Sequence, residues 1–361
     1  MEFKSYTAQT LNQLIESDSF NNWENIPISK IRAQSQIVNP RAKQDDVVLI
    51  CALENNKLAG YLGLLPDDIF LKGSSTHLAW LSCIWINNQF RGQKIAQKLI
   101  EKAEEYWGQN LLITGVVPQI EKIYFNSGVF DKAVELHGLK LFTGLDLQTW
   151  LPPKYPFLNK MKDFLTFLDL GLGFVQYVKI KKSTHPNSVQ QVNGTNFDEN
   201  LTAFINEQTQ GSHFQRGAKE WLWMINNPWI KDAGIAEPKY YFSSAAKRFI
   251  NLPFQVTNSE GEIIAFMLLT IRDKAMKIPV LYGYENAQNE LLLTIAEVIK
   301  QYKIASFLTF QPSLVKSLEN GDMSGLYKKP QTRKIFIGNA FDAKGFSDSQ
   351  FQDGDGDLGF T

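Results

Sequence analysis

The chain is 361 residues long, 44% hydrophobic and 20% charged, with Lys plus Arg and Asp plus Glu both at 37. That length implies a globular protein of two domains, and the even charge, without basic runs interleaved with aromatics, excludes nucleic acid as the default partner. Cys51 and Cys83 have no metal-ligand spacing, which excludes a zinc site or disulfide scaffold; with a polar start lacking an apolar signal core, this fits a cytoplasmic protein.

In chain order, apolar runs at 47–53 and 58–65 joined by Glu54-Asn55-Asn56-Lys57 predict a hairpin. Pro66-Asp67-Asp68 reads as a turn. A further apolar run ends in Ile84-Trp85-Ile86 and stops at Asn87-Asn88-Gln89-Phe90. Arg91-Gly92-Gln93-Lys94-Ile95-Ala96 follows, opening a helix whose Ile95, Ala96, Leu99, Ile100, Ala103, Tyr106 and Trp107 recur at helical spacing. Residues 111–117 then read as a strand, and 120–130 as a short helix that stops at a glycine.

A strand feeding a short loop and a helix N-terminus is an anion site, because unpaired N–H groups and the positive helix end converge there. Phosphate is the expected guest. The order strand, Asn-Asn-Gln-Phe, Arg-Gly-x-x-Ile-Ala, helix resembles the acyl-CoA pyrophosphate loop of the GNAT superfamily of N-acyltransferases, roughly Gln/Arg-x-x-Gly-x-Gly/Ala. The stretch Ile123-Tyr124-Phe125-Asn126-Ser127-Gly128-Val129 resembles the family's second cofactor segment, Leu/Ile-Tyr-x-x-x-Gly-Phe. Lys94 stands where the family carries its middle glycine. Its ammonium either meets the pyrophosphate or its bulk crowds the loop.

The resemblance implies acetyl-CoA, or another acyl-CoA, held by Arg91, Gly92, Gln93, Lys94, Ile95, Ala96 and Asn126. It also implies a backbone N–H among Ile84, Trp85 and Ile86 on the thioester oxygen, and the Tyr124 hydroxyl on the departing sulfur. A primary amine would attack directly, since no histidine is spaced to activate Cys83. Asp67 and Asp68 flank the strands of the expected cleft and are candidates for binding the amine; neither His77 nor Glu121 stands out as a base.

Near residue 150 the pattern changes. Leu151-Pro152-Pro153-Lys154-Tyr155-Pro156 is a rigid extended segment, and residues 157–178 are strongly apolar. Lys160, Lys162, Asp163 and Asp169 interrupt that run, so it reads as interdomain packing or a helix lying on a membrane surface, not as a span. Strands at 254–258, 263–271, 278–284 and 304–310 and a helix at 291–302 repeat the order of the first half. Glu285-Asn286-Ala287-Gln288-Asn289-Glu290 occupies the phosphate-loop position, and its glutamates would repel pyrophosphate.

The expected fold is therefore a mixed α/β sheet in two tandem GNAT-like domains, residues 1–150 and 191–361, with 151–190 as linker and the second domain degenerate. Phe214-Gln215-Arg216, Trp221-Leu222-Trp223 and the segment 351–361 are similar to features of bacterial tandem GNAT proteins. Asp353, Asp355 and Asp357 read either as a solvated tail or, docked through Phe360-Thr361, as an acidic lining in which Asp355 and Asp357 bind the acceptor. Trp221, Trp223 and Trp229 read as core or as a platform for a sugar. The expected acceptor is a small-molecule or sugar amine in the interdomain cleft, the protein being a monomer or homodimer. Transfer of an aminoacyl group to a peptide bridge and a non-catalytic sensor are the alternatives.

Overall fold

The computed structural model describes residues 1–116, 118–152, 155–172, 177–181 and 187–361. Val117, Pro153, Lys154 and residues 173–176, which enter the readings above, lie outside the described residues. The chain forms two compact units, and neither is a contiguous half. The first gathers Met1–Leu136, Asn193–Phe249 and Thr332–Thr361; the second gathers His137–Val192 and Ile250–Gln331. Much of the stretch expected as a second domain thus packs with the N-terminal residues, for reasons of charge and aromatic packing given below.

The first unit is a sheet in the order β1 (Glu2–Thr7), β2 (Val47–Glu54), β3 (Lys57–Leu71), β4 (Ser74–Ile86), β5 (Leu111–Thr114). Its strands run antiparallel except for β4 and β5, which pair in parallel over Ala79–Leu81 and Leu111–Ile113. The far edge of β5 takes Ile335–Ile337 as an antiparallel neighbour. β2 is buried along nearly its whole length, so both faces of the sheet are covered.

On one face lies α4 (Ile95–Trp107), which buries Ile95, Leu99, Ile100, Ala103 and Trp107 against β2 to β5, along with α5 (Pro118–Phe125). On the other lie α1 (Ala8–Glu16), α2 (Asp18–Asn22) and α3 (Lys30–Ile37). The Thr7 and Thr10 side chains close a capping box at the start of α1, while Ser17 and Ser29 cap α2 and α3.

Pro66-Asp67-Asp68 is strand, not turn. β3 continues to Leu71 and turns at Lys72-Gly73, where both residues have positive φ. Proline is tolerated because β2 reaches only as far as Gly63, leaving that edge of β3 free of ladder partners. Side chains of α3 and the residues after it take over: Gln36 donates to the Leu64 carbonyl and Asn39 to that of Pro66, each at 3.0 Å.

The second unit repeats the strand, strand, strand, helix, strand order. Phe249–Thr257, Ile263–Arg272 and Ala275–Tyr282 precede the helix Gln288–Tyr302 and the strand Ser306–Thr309, which runs parallel to Ala275–Tyr282. Its core centres on that helix, with Leu291, Leu292, Ile295, Ala296 and Ile299 buried. The helix opens with Glu290 in its first turn; this buried carboxylate accepts from Asn187 at 2.9 Å. Among the described residues no helix is long and apolar enough to cross a membrane; the apolar run condenses to the helix Lys162–Leu172, with Phe164 and Phe167 exposed.

Candidate active site

β4 outruns its neighbour. β5 ends at Thr114, while β4 continues for several residues beyond its last partner, Leu81. One extra residue of β4 is accommodated opposite Gly63, between the pairs Leu64–Leu81 and Leu62–Ile84, so Ser82 and Cys83 form a bulge. Past it, Asn87 donates its N–H to Ala59 of β3 at 2.9 Å. Strand alternation then turns the N–H groups of Ile84 and Ile86 away from β3, toward the side where β5 has ended, and that of Trp85 back toward β3. Two of the three candidate oxyanion donors thus face the opening.

The loop from β4 to α4 is short and exposed at Arg91, Gly92, Gln93 and Lys94. Gly92 takes φ +83° and Lys94 φ +57°. Lysine therefore adopts the left-handed geometry that glycine would supply, at a cost of roughly 1–2 kcal/mol, and the turn is made despite it. No side chain caps α4 and its first turn has no acidic residue. Its first amides, at Ile95 and Ala96, are left for a ligand; an anion there is favoured by the helix dipole.

Tyr124 lies on α5 in the core beside α4, 1% exposed, its ring edge-on to Phe130 with centroids 6.1 Å apart. Burial, and then the nearby Cys83 sulfur, push its hydroxyl above the ordinary range, keeping it a proton donor. Asn126 follows α5 and donates its backbone N–H to Lys122. Glu121 pairs with Lys334 at 3.4 Å.

The four acidic residues expected to bind the acceptor occupy different surroundings. Asp67 is 1% exposed and fully engaged. One oxygen accepts from Arg41 at 2.8 Å and from the Asp68 amide at 2.9 Å; the other accepts from Arg216 at 2.6 Å and Trp80 Nε1 at 3.1 Å. Burial alone would raise this carboxyl, but Arg216 and Arg41 outweigh it and hold it below the usual carboxylate range. Every lone pair has a donor, so Asp67 is a structural hub with no room for an amine. Arg41 also donates to the Phe214 and Gln215 carbonyls, and Arg216 to those of Gly354 and Gly356. This hub draws residues 214–216 and 354–356 onto β3.

Asp68 sits on the other side of its strand, accepting from His77 Nδ1 at 2.7 Å, while His77 Nε2 meets Asp46 at 2.9 Å. Hydrogen bonds to Asp46 and then Asp68 raise the His77 pKa to about 9, so it is an imidazolium clamp and not a base. A group raised on folding stabilises fully below its unfolded value of 6.5 and loses that contribution as pH rises through 9. The urea midpoint is therefore expected to fall across that window, by the equivalent of at most about 1 kcal/mol given solvent screening, and His77→Gln should remove the slope.

Asp353 and Asp355 are buried, so the segment 351–361 is no solvated tail. Burial pushes Asp355 up to about 7 against the pull of Arg216; its carboxylate accepts the Gln352 amide at 2.8 Å. Asp357 is half-buried and accepts from Ser82 at the β4 bulge. Gly356, at φ +69°, passes so close to the sheet that a Cβ there would stand 3.1 Å from the Trp80 ring and 3.2 Å from Thr114, where β4 and β5 begin to part. Asp357 is thus the acidic residue of the four brought to the opening. Phe360 stacks on Trp229 at 4.5 Å and meets Trp223 edge-on. Trp223 and Trp229 donate to Ser35 of α3, at 2.9 and 3.1 Å, and Trp221 is fully buried. These tryptophans are core, not a sugar platform.

Arg32, Arg41 and Tyr240 draw no notice in the sequence, and Ser82 appears there only as part of the apolar run that ends at Ile86. Arg32, from α3, reaches the Cys83 sulfur and lies 4.0 Å over the Trp229 ring. Arg216 stood in a noted stretch without a role. Among the described residues no cluster of His, Cys, Asp and Glu could hold a metal.

Residues 9–116, from α1 to just past β5, match the model of the acetyltransferase (GNAT) family. The chain is also similar to solved structures. One is a conserved protein of unknown function, a probable N-acyltransferase, from Enterococcus faecalis V583 (TM-score 0.53, 12% identity, covering 93% of this chain and 72% of that one). Another is Saccharomyces cerevisiae N-myristoyltransferase with bound myristoyl-CoA (0.51, 11%, 94% and 82%). A third is a GCN5-related N-acetyltransferase from Anabaena variabilis ATCC 29413 (0.50, 12%, 93% and 73%). At these identities the likeness is one of fold. None of the curated proteins matches the sequence.

Proposed function

For a chain with the fold of GNAT N-acyltransferases, and with the family's sequence pattern over residues 9–116, we propose transfer of an acyl group from an acyl-CoA to a primary amine. The observation that carries this reading is a coincidence of two features on one strand. β4 opens from β5 just where it leads, through the positive-φ turns of Gly92 and Lys94, into the uncapped N-terminus of α4. Pyrophosphate would sit on the amides of Ile95 and Ala96, with Arg91 and Lys94 at its rim. The thioester carbonyl would lie in the opening, its oxygen met by the N–H of Ile84 or Ile86.

Charge develops next on the departing sulfur, and Tyr124 would supply the proton. Its burial keeps that proton in place until a thiolate forms nearby. The acceptor amine would approach the bulge, where Asp357 and Ser82 could orient it and take its proton. The second unit, with Glu290 at the helix start in place of a phosphate loop, would bind no CoA. Acetyl is the proposed acyl group, and a reducing cytoplasm the proposed compartment, since Cys51 and Cys83 are both free thiols.

Calorimetric titration with acetyl-CoA and free CoA is the test. One-to-one saturable binding is expected, weakened about tenfold in Arg91→Ala, the scale of one charge-assisted contact. Tyr124→Phe should bind CoA unchanged yet transfer acyl groups about a hundredfold more slowly. No binding at millimolar cofactor would overturn the reading in favour of a GNAT-fold sensor.

A further inference from the structure

Exposed apolar side chains concentrate in one part of the second unit. In the turn Pro156–Met161 and the helix Lys162–Leu172, Phe157 is 66% and Phe167 70% exposed, and Met161 and Phe164 are exposed as well. The other side of the helix fastens it to the unit. Leu165 is buried, and both oxygens of the buried Asp169 accept amides, that of Leu147 at 2.7 Å and that of Gln148 at 3.0 Å. Helical spacing keeps the two sides apart, since Phe164 and Phe167 share one face and Leu165 and Asp169 another. Packing within the chain therefore leaves these rings in water, and an exposed apolar group of this size marks an interaction surface.

A second exposed group is tied to the same stretch of chain. The Thr143 carbonyl accepts the Tyr177 amide at 2.8 Å, and the Phe142 carbonyl accepts that of Leu326 at 2.7 Å. Tyr177, Leu326 and Tyr327 are exposed, and the Tyr327 ring meets that of Phe142 with centroids 5.8 Å apart. Cations stand among these rings. Lys140 lies 5.3 Å over the Phe142 ring. Burial, and then the Lys329 ammonium, hold it below the usual lysine range, while Asp146 pulls the other way. Asp146 is itself paired with Lys274 at 3.5 Å. Lys160, Lys179 and Lys329 are exposed, whereas the run 155–181 has Asp163 as its exposed acid, Asp169 being taken up by its two amides.

We infer that the second unit docks on an anionic lipid bilayer through these exposed rings, with Lys140, Lys160, Lys179 and Lys329 set toward the lipid phosphates and carboxylates. A bilayer surface is negative at its headgroups and apolar just beneath them, and phenylalanines and tyrosines flanked by lysines match that order. The helix Lys162–Leu172 is about 16 Å long against a hydrocarbon core of about 30 Å, so it lies in the surface and does not cross. A second copy of the chain matches less well, because a two-fold contact through one patch sets its excess of lysines against an equal excess. Docking of this kind is independent of whether the first unit binds acyl-CoA.

Cosedimentation of the full chain with vesicles of phosphatidylcholine alone, and of phosphatidylcholine mixed with phosphatidylserine, is the test. Binding is expected to the mixed vesicles and is expected to weaken as salt is raised. Phe164→Ser with Phe167→Ser should lower the affinity about a hundredfold, roughly tenfold for each ring withdrawn from the lipid. Lys160→Gln with Lys329→Gln should lower it about fivefold per lysine. All four positions are exposed, so the urea midpoint should hold; if the serine pair unfolds the chain, Phe167→Ser alone serves. Sedimentation velocity without lipid reads the rival occupant. A dimer that the serine pair dissolves, with no vesicle binding, overturns the inference. Failure to sediment with the mixed vesicles, equal binding to both vesicle types, or binding that neither pair of substitutions weakens overturns it as well.

Discussion

Asp67→Ala is expected to lower the unfolding free energy by roughly 3–5 kcal/mol, the range for breaking a buried ion pair by removing one partner. The substitution leaves two guanidiniums facing an empty site, Arg41 with 9% and Arg216 with 3% of their side chains exposed. Arg41 keeps its ion pair with Glu220 at 3.3 Å, and both arginines keep bonds to carbonyls, those of Asp68, Phe214 and Gln215 for Arg41 and of Gly354 and Gly356 for Arg216. Two cations would then repel across a gap once filled by one anion. Equilibrium urea denaturation, followed by tryptophan fluorescence, measures the loss; a change below about 1 kcal/mol would place Asp67 among ordinary surface pairs and refute the hub. The wild-type carboxylate, held below its unfolded value, contributes its stability above that value and loses it as pH falls through the folded one. Wild type should therefore weaken in acid more steeply than the variant.

Phe360→Ala is expected to cost about 3–5 kcal/mol, the range for truncating a fully buried phenylalanine. Phe360 is 0% exposed, stacked 9° from parallel on Trp229 and edge-on to Trp223, and its carbonyl accepts the Trp229 amide at 3.1 Å. The effect should not stop at stability. Trp229 is the ring over which Arg32 lies, so losing the stack frees the floor beneath the guanidinium that holds Cys83. Urea denaturation gives the first quantity, and the rate of Cys83 alkylation by iodoacetamide reads the second. A variant as stable as wild type would mean that the segment 351–361 is held by its polar contacts to Arg216, Arg333 and Ser82 and not by this ring.

The parts legible in the sequence were those written within one short stretch of chain. Strand, loop, Arg91-Gly92 and the amphipathic helix follow one another within a few dozen residues, and periodicity together with glycine chemistry names them in order. The repeat of that order after residue 249 was legible for the same reason. Local pattern misled at Pro66-Asp67-Asp68, since a proline beside two aspartates has turn chemistry unless the neighbouring strand has already ended, and the end of β2 is a fact of pairing. What joins Asp67 to Arg216 across 149 positions, or Arg216 to Gly354 across 138, leaves no trace in spacing. Arg32 and Arg41 were invisible for a related reason: an arginine on a polar helix, or in the turn that follows it, is normally solvated, and only the packing of residues 193–249 and 332–361 with this part of the chain buries them.

The three-part makeup of the first unit also sets an order of events for a growing chain. A fragment cut at residue 150, where composition suggests a boundary, would possess β1 to β5 and the loop that leads into α4, yet lack Arg216, the ring of Trp229 and the segment that covers Trp80. Asp67 would keep Arg41 but lose its second arginine, and Arg32 would have neither its aromatic floor nor Tyr240. Such a fragment is a poor candidate for an autonomous folding unit, and contacts of this sequence separation are those that close last and slowest. During synthesis the proposed donor site would therefore wait, incomplete, until residues 332–361 had emerged, so a prematurely ended chain would leave that proposed site without its cover.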